Sequence, residues 1–271
     1  MRNAGALAVL CLAACGPSDR DPGGTDPGVD AADPGNPPPG DPPVQTFVYA
    51  HTASELYKVD PDTLAVTLVG GFSFNTGSDS ITDIAIDKSN TMIGVSFGSV
   101  YRIDPGTAQG TRLTTGLAGS FNGLSFVPAA QIGQSGDDVL VGTRNTDGAV
   151  FQINTMTGAA TQIGNMGGAF ASSGDLVSVA ELGTLQTTAN GIGADRLVSL
   201  APGSFTATAI GTDIGFSEIW GIAFWKDKVF GFTAGGQFIT IDPTTGAGTL
   251  VQGNGPAWWG AAVTTLAPVV L

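Results

Sequence analysis

Between residues 44 and 271, apolar and polar side chains alternate in short runs, each closed by Gly, Pro, Asp or Asn. Alternation with a period of two is what a half-buried strand requires, because successive side chains point to opposite faces of a sheet. The runs come in pairs. Asp83-Ile84-Ala85-Ile86-Asp87 precedes Met92-Ile93-Gly94-Val95-Ser96, and Gly221-Ile222-Ala223-Phe224 precedes Lys228-Val229-Phe230-Gly231-Phe232. Long amphipathic stretches of Leu, Glu, Lys and Ala, which favour helix, are missing. The pattern predicts an all-β chain of short strands and tight turns.

A hairpin signature follows these pairs. Its first copy reads Leu56-Tyr57-Lys58-Val59-Asp60-Pro61-Asp62-Thr63, and it recurs around Asp104, Asn154, Ala201 and Asp242 at spacings of 44, 50, 47 and 41 residues. Seven residues beyond the Asp position every copy carries a Thr: Thr67, Thr111, Thr161, Thr208 and Thr249. The chemistry is that of a turn: Asp accepts from backbone N–H groups of its own turn, Pro fixes φ near about −65°, and Gly or a substitute takes a left-handed position. Thr155 replaces Pro in the third copy and Ala201 replaces Asp in the fourth, which predicts less rigid turns there.

Two strands and a hairpin make four antiparallel strands per repeat of about 46 residues, the size of a β-propeller blade. Five repeats predict a single β-propeller of five four-stranded blades over residues 44–271. The first unit begins at Phe47-Val48-Tyr49-Ala50 and lacks an innermost strand, whereas Gly260-Ala261-Ala262-Val263 near the other end is an innermost strand without a blade. Pairing of the two in one blade closes the ring, and a linear array would leave bare sheet edges. Region 165–196 is the least regular and is where a degenerate extra unit would hide. The hairpins resemble the (Leu/Val)-Tyr-x-(Ile/Val)-Asp-Pro-x-Thr-Gly repeats of bacterial extracytoplasmic propellers related to the YVTN type. That resemblance implies the fold and a place outside the cytoplasm, and it is silent on activity because the repeated residues build a turn.

Residues 1–43 read differently. Arg2 and the amino terminus precede the apolar stretch Ala4 to Ala14, too short to span about 30 Å of hydrocarbon as a helix; residues 1–14 read as a signal peptide. The stretch closes on Leu12-Ala13-Ala14-Cys15-Gly16, which resembles the bacterial lipobox. This implies a lipoprotein whose Cys15 becomes the mature N-terminus and carries palmitate-like acyl chains. The chain is then a lipid-anchored protein of the bacterial cell envelope, on the outer membrane or cell surface. Each buried CH₂ contributes about 0.8 kcal/mol, so two or three chains hold firmly. Residues 16–43 contain nine of the sixteen Pro and six Asp, with almost no large apolar side chain. Residues 15–43 therefore read as a disordered, semi-stiff tether.

Charge narrows the partners. Against 23 acidic side chains stand 10 basic ones, a net charge of −13, which leaves no basic face for phosphates and excludes nucleic acid. Cys11 and Cys15 are the only cysteines, so no disulfide staples the β domain. The single His, His51, reads as a blade-surface residue and cannot alone build a zinc site or a catalytic triad. No metal site and no cofactor is predicted. Ca²⁺ would suit the many carboxylates, but no segment has the EF-hand spacing, and Asp60, Asp104 and Asp242 read as turn formers.

In a blade, the loop before the innermost strand opens on the face opposite the Asp-Pro hairpins. Thr82-Asp83, Asn122-Gly123, Gly174-Asp175, Glu218 to Gly221 and Trp258-Trp259-Gly260 should therefore ring one channel mouth. Trp220, Trp258, Trp259 and Asn122 are the candidate ligand-binding residues, because exposed indoles stack on sugar faces or anchor protein partners. Trp225 falls beyond the innermost strand as a packing residue. Asp83, Asp175 and Glu218 form an alternative catalytic set, as carboxylates of a hydrolase or lyase acting on a carbohydrate. No catalytic motif accompanies them. The expected function is a binding or scaffold module for a glycan, a peptide or an envelope protein, with the carbohydrate hydrolase or lyase as the alternative.

Overall fold

The computed structural model describes residues 47–189 and 193–270, and the strands, β1 to β21 along the chain, pair into five antiparallel sheets. The first sheet holds β1 (Val48–His51), β2 (Glu55–Val59) and β3 (Val66–Gly71). The second holds β5 (Asp83–Ile86), β6 (Met92–Val95), β7 (Val100–Ile103) and β8 (Gln109–Thr114), with the two-residue β4 (Ser73–Phe74) added in parallel along β8. The third runs through β9 (Gly123–Val127), β10 (Val139–Thr143), β11 (Ala149–Ile153) and β12 (Ala160–Asn165). The fourth is β13 (Ser172–Val179), β14 (Gly183–Thr188), β15 (Arg196–Leu200) and β16 (Ala207–Ile210). The fifth is β17 (Ile219–Trp225), β18 (Lys228–Thr233), β19 (Phe238–Ile241) and β20 (Gly248–Gln252). Finally β21 (Gly260–Ala262) pairs with β1, placing Gly260 opposite His51 and Ala262 opposite Tyr49. The protein is a five-bladed β-propeller closed by its two ends, and region 165–196 supplies ordinary strands of blade four rather than a sixth unit.

Burial grades outward along each blade. The innermost strands β5, β9 and β21 are buried at every position, whereas β3, β8, β12, β16 and β20 are exposed at two or more positions each. This explains why inner strands read as continuous apolar runs and outer ones as Thr-rich. The five repeated Thr residues all lie exposed on outermost strands, where a β-branched side chain favours extended backbone. In β6, β10 and β18 a central glycine makes room for the next strand: a Cβ on Gly142 would lie 2.8 Å from Phe121 and 2.9 Å from Ile153, and one on Gly231 would lie 2.8 Å from Ile239. Blade four departs from this, since Gln186 occupies the matching place opposite Leu176. Its buried amide bonds to Ser172 Oγ, the Gly174 and Asp175 carbonyls and Thr143 Oγ1. A buried polar group is tolerated when satisfied in this way.

The hairpins share one geometry. The N–H of Asp60, Asp104, Asn154, Ala201 or Asp242 donates to the carbonyl five residues on, and its own carbonyl accepts from the N–H four residues on. That later residue is left-handed in every copy: Leu64 (φ 61°), Ala108 (59°), Gly158 (73°), Phe205 (59°) and Gly246 (74°). Asp60 Oδ1 accepts from Asp62 and Thr63, and Asp242 Oδ1 from Thr244 and Thr245, at 2.8 to 2.9 Å. Ala201 has no such acceptor, and Gly203 N–H donates to the Gln131 carbonyl instead (2.8 Å).

After β21 the chain crosses the hairpin face. Thr264 Oγ1 donates to the Asp87 carbonyl (3.0 Å), Thr265 Oγ1 to Asp138 (2.6 Å), Ala180 N–H to the Thr265 carbonyl and Lys226 N–H to the Pro268 carbonyl. These bonds reach blades two, three, four and five in turn. Trp225 packs half-buried against the adjoining core.

Candidate functional site

Five N–H groups, one from each innermost strand, turn toward the propeller axis: those of Ile84, Leu124, Leu176, Ile222 and Ala261. Unpaired in a buried hub they would each cost about 1–3 kcal/mol. Two carboxyl groups accept all five. Asp175 Oδ1 takes Leu176 (2.7 Å) and Leu124 (3.2 Å), and its Oδ2 takes Ile222 (3.1 Å) and Ala261 (3.3 Å). Asp83 Oδ1 takes Ile84 (2.8 Å). The other three blades have glycine at the same level. A Cβ on Gly123 would lie 2.7 Å from Thr143 Oγ1, one on Gly221 would lie 2.6 Å from Gly260, and one on Gly260 would overlap Asp83 Oδ1 and His51 Nε2. The axis has room for two side chains and no more.

Both carboxyl groups are fully buried, and burial pushes each well above the usual carboxylate range. The charge of Asp175 raises Asp83 further. The two titrate as a pair.

His51 packs beside them, fully buried, and so is not a surface residue. Its partner across the strand pair is Gly260, and the ring passes over the space a Cβ would fill to bring Nε2 within 3.9 Å of Asp83 Oδ1. Nδ1 donates to the Thr52 carbonyl (2.8 Å), leaving Nε2 a bare acceptor with no partner, as is Asp83 Oδ2. Burial lowers the His51 pKa to about 4. Among the described residues, no group of three or more His, Cys, Asp or Glu side chains is placed to hold a metal ion.

One residue before each hub position lies the ring at the mouth: Thr82, Asn122, Gly174, Trp220 and Trp259. All five line one cavity of about 340 Å³, together with Phe97, Ser120 and Phe121, within the size range of small-molecule sites. Trp220 and Trp259 meet edge to face, ring centroids 6.3 Å apart at 85°. Phe97, on the loop from β6 to β7, is 71% exposed. A second, more open depression of about 490 Å³ shares Asn122, Asn145, Ser173 and Trp220 with the first and is bounded by Asp195, Ser217 and Glu218. Asp195 is nearly buried, its Oδ2 accepts from Ile219 N–H (2.9 Å), and burial raises its pKa to about 6.

The structure thus sorts the sequence-predicted residues into four groups. Trp220, Trp259 and Asn122 line the cavity. Trp258 does not: it is 2% exposed and packs edge to face on Tyr57 (5.1 Å) and Phe232 (5.4 Å), because at this point in the chain only the residue next to Gly260 faces the mouth. Asp83 and Asp175 converge, but beneath the mouth, where backbone N–H groups occupy both oxygens of Asp175 and one of Asp83. Glu218 stays apart from them, exposed on a left-handed residue (φ 54°) at the rim. Sequence reasoning missed Phe97, Asn145, Ser173, Asp195 and the burial of His51. Phe97 alone carried a signal, an aromatic between Ser96 and Gly98 in a tight loop. Asp195 falls in the irregular region.

No family model and no curated protein matches this chain. Solved structures do. A protein from a study of the de novo evolutionary emergence of a symmetrical protein aligns at a TM-score of 0.52 and 16% identity, over 83% of this chain and 100% of that one. A chain of a nidogen/laminin complex aligns at 0.47 and 9%, over 80% and 98%. TolB from Acinetobacter baumannii aligns at 0.46 and 12%, over 80% of this chain and 53% of that one. The first of these supports the propeller fold, and at these identities the likeness extends to nothing else.

Proposed function

We propose that the propeller is a binding module for a carbohydrate, held at the bacterial envelope by a lipid on Cys15 and a tether over residues 15–43. The observation that carries the reading is the ring Thr82, Asn122, Gly174, Trp220 and Trp259, one residue per blade, around an aromatic cavity with no basic side chain. Sugars present apolar C–H faces and a rim of hydroxyls, and this cavity offers indole and phenyl surface beside amide and hydroxyl groups. A rigid closed scaffold adds affinity by sparing the ordering cost of binding. A hydrolase built on Asp83 and Asp175 draws no support from the geometry, since both carboxyl groups are buried beneath the mouth, out of reach of a glycosidic bond.

Titration calorimetry of the full chain against neutral oligosaccharides tests the reading, with Trp220→Ala expected to weaken a bound sugar about tenfold, or about 1.4 kcal/mol. Flat heats across neutral and amino oligosaccharides alike would transfer the mouth to a protein partner. The anchor has its own test: Cys15→Ala should move the protein to the soluble fraction and abolish labelling by a palmitate analogue. Persistent membrane fractionation with labelling would remove the lipobox assignment.

A further inference from the structure

The two joined depressions differ in charge from each other. Of the described residues that line them, Asp195 and Glu218 are charged and none is basic. Asp195 is held rigidly: its N–H donates to the Phe216 carbonyl (2.7 Å), its carbonyl accepts from Ile214 N–H (2.7 Å), and Oδ2 accepts from Ile219 N–H. A nearly buried carboxylate usually sits opposite a cation. Among the described residues no ion pair reaches Asp195, and the adjacent Arg196 turns its Nε to the Thr212 carbonyl (2.6 Å). Glu218 N-terminally abuts Ile219, the residue that binds Asp195, and its charge acts on Asp195 directly. Between these carboxylates and the first cavity stands the half-buried ring of Trp220, and an indole face attracts a cation as well as a sugar.

Resting on the carbohydrate reading, the geometry points to a ligand with a free amine, an amino sugar whose ammonium sits between Asp195, Glu218 and the Trp220 face while its neutral part fills the cavity lined by Trp259 and Phe97. A neutral or anionic sugar would leave the two carboxylates of this depression without a counter-charge. Asp195 is then a specificity residue of the mouth, and Asn122 and Asn145 are the polar groups shared by both halves.

Paired probes test this on the full chain by calorimetry at pH 7: the tetramer of N-acetylglucosamine and its fully deacetylated counterpart, which differ in amine charge. The deacetylated tetramer should bind at least tenfold tighter. Asp195→Asn, which keeps an oxygen for Ile219 N–H, should reduce that ratio to about twofold, as should 0.5 M salt, where screening acts within about 4 Å. Glu218→Gln, at an exposed position, should reduce it in part and serves if the Asp195 variant does not fold. Equal affinity for the two tetramers, or a preference that survives both substitutions, would overturn the amine assignment and leave the carbohydrate reading standing. Failure of both tetramers to bind would overturn both.

Discussion

Asp175 accepts four of the five N–H groups that converge on the propeller axis, and Asp83 accepts the fifth. Two acidic side chains thereby stitch five blades at their common centre, and burial raises the pKa of both.

The first prediction concerns pH. Folding raises the proton affinity of the Asp83/Asp175 pair, so its contribution to stability is present at low pH and is lost as pH rises from the ordinary carboxylate value through the raised one. His51 works the other way: its folded pKa of about 4 lies below the usual 6.5, so stability grows with pH between those values. Asp83→Asn removes the first contribution and keeps an acceptor for Ile84. Its Tm, relative to wild type, should be higher at pH 8 than at pH 4.5, each tenfold in proton affinity being worth about 1.4 kcal/mol. A difference that is flat or reversed between those pH values would show that the pair does not hold a proton.

Asp175→Asn should behave differently, because one amide oxygen replaces two carboxylate oxygens that serve four donors. At least one hub N–H loses its acceptor, and urea unfolding should show a loss of about 1–3 kcal/mol at neutral pH.

Gly260→Ala places a methyl group against both His51 and Asp83. Overpacking of a closed core costs about 1–3 kcal/mol, and thermal unfolding should fall accordingly. The change at Gly253, where a Cβ meets nothing within 4 Å, should have far less effect and serves as the control.

The third hairpin can be stiffened. Thr155 sits where three other copies have Pro directly after Asp, in a turn with the same bonding pattern, so Thr155→Pro should add about 0.4–1 kcal/mol in chemical denaturation. Conversely, Asp242→Ala deprives Thr244 and Thr245 N–H of their acceptor and should remove about 1 kcal/mol.

Neighbouring tryptophans should part company. Trp258→Ala empties a buried site between Tyr57 and Phe232 and should cost about 3–5 kcal/mol of stability. Trp259→Ala, at the cavity wall, should leave Tm within a few degrees of wild type and abolish most sugar binding. Equal stability losses would place both rings in the core.

Repeat count, blade architecture, closure by β1 and β21, and the five chain segments that approach the mouth were legible in the sequence. They follow from local rules: alternation forces strands, Asp-Pro turns force hairpins, and a ring must place equivalent residues at equivalent depth. Burial at the axis was not legible. Asp83 and Asp175 read as mouth carboxylates because the mouth and hub positions are adjacent in the chain, and one residue of strand separates solvent from the interior. Trp258 and Trp259 read alike for the same reason. The pocket wall formed by Phe97, Asn145 and Asp195 comes from loops in three different blades, which no single stretch of sequence can show to be neighbours. His51 is the clearest case. Its burial depends on Gly260, more than 200 residues away, whose missing Cβ opens the space that the imidazole fills only once the ring has closed.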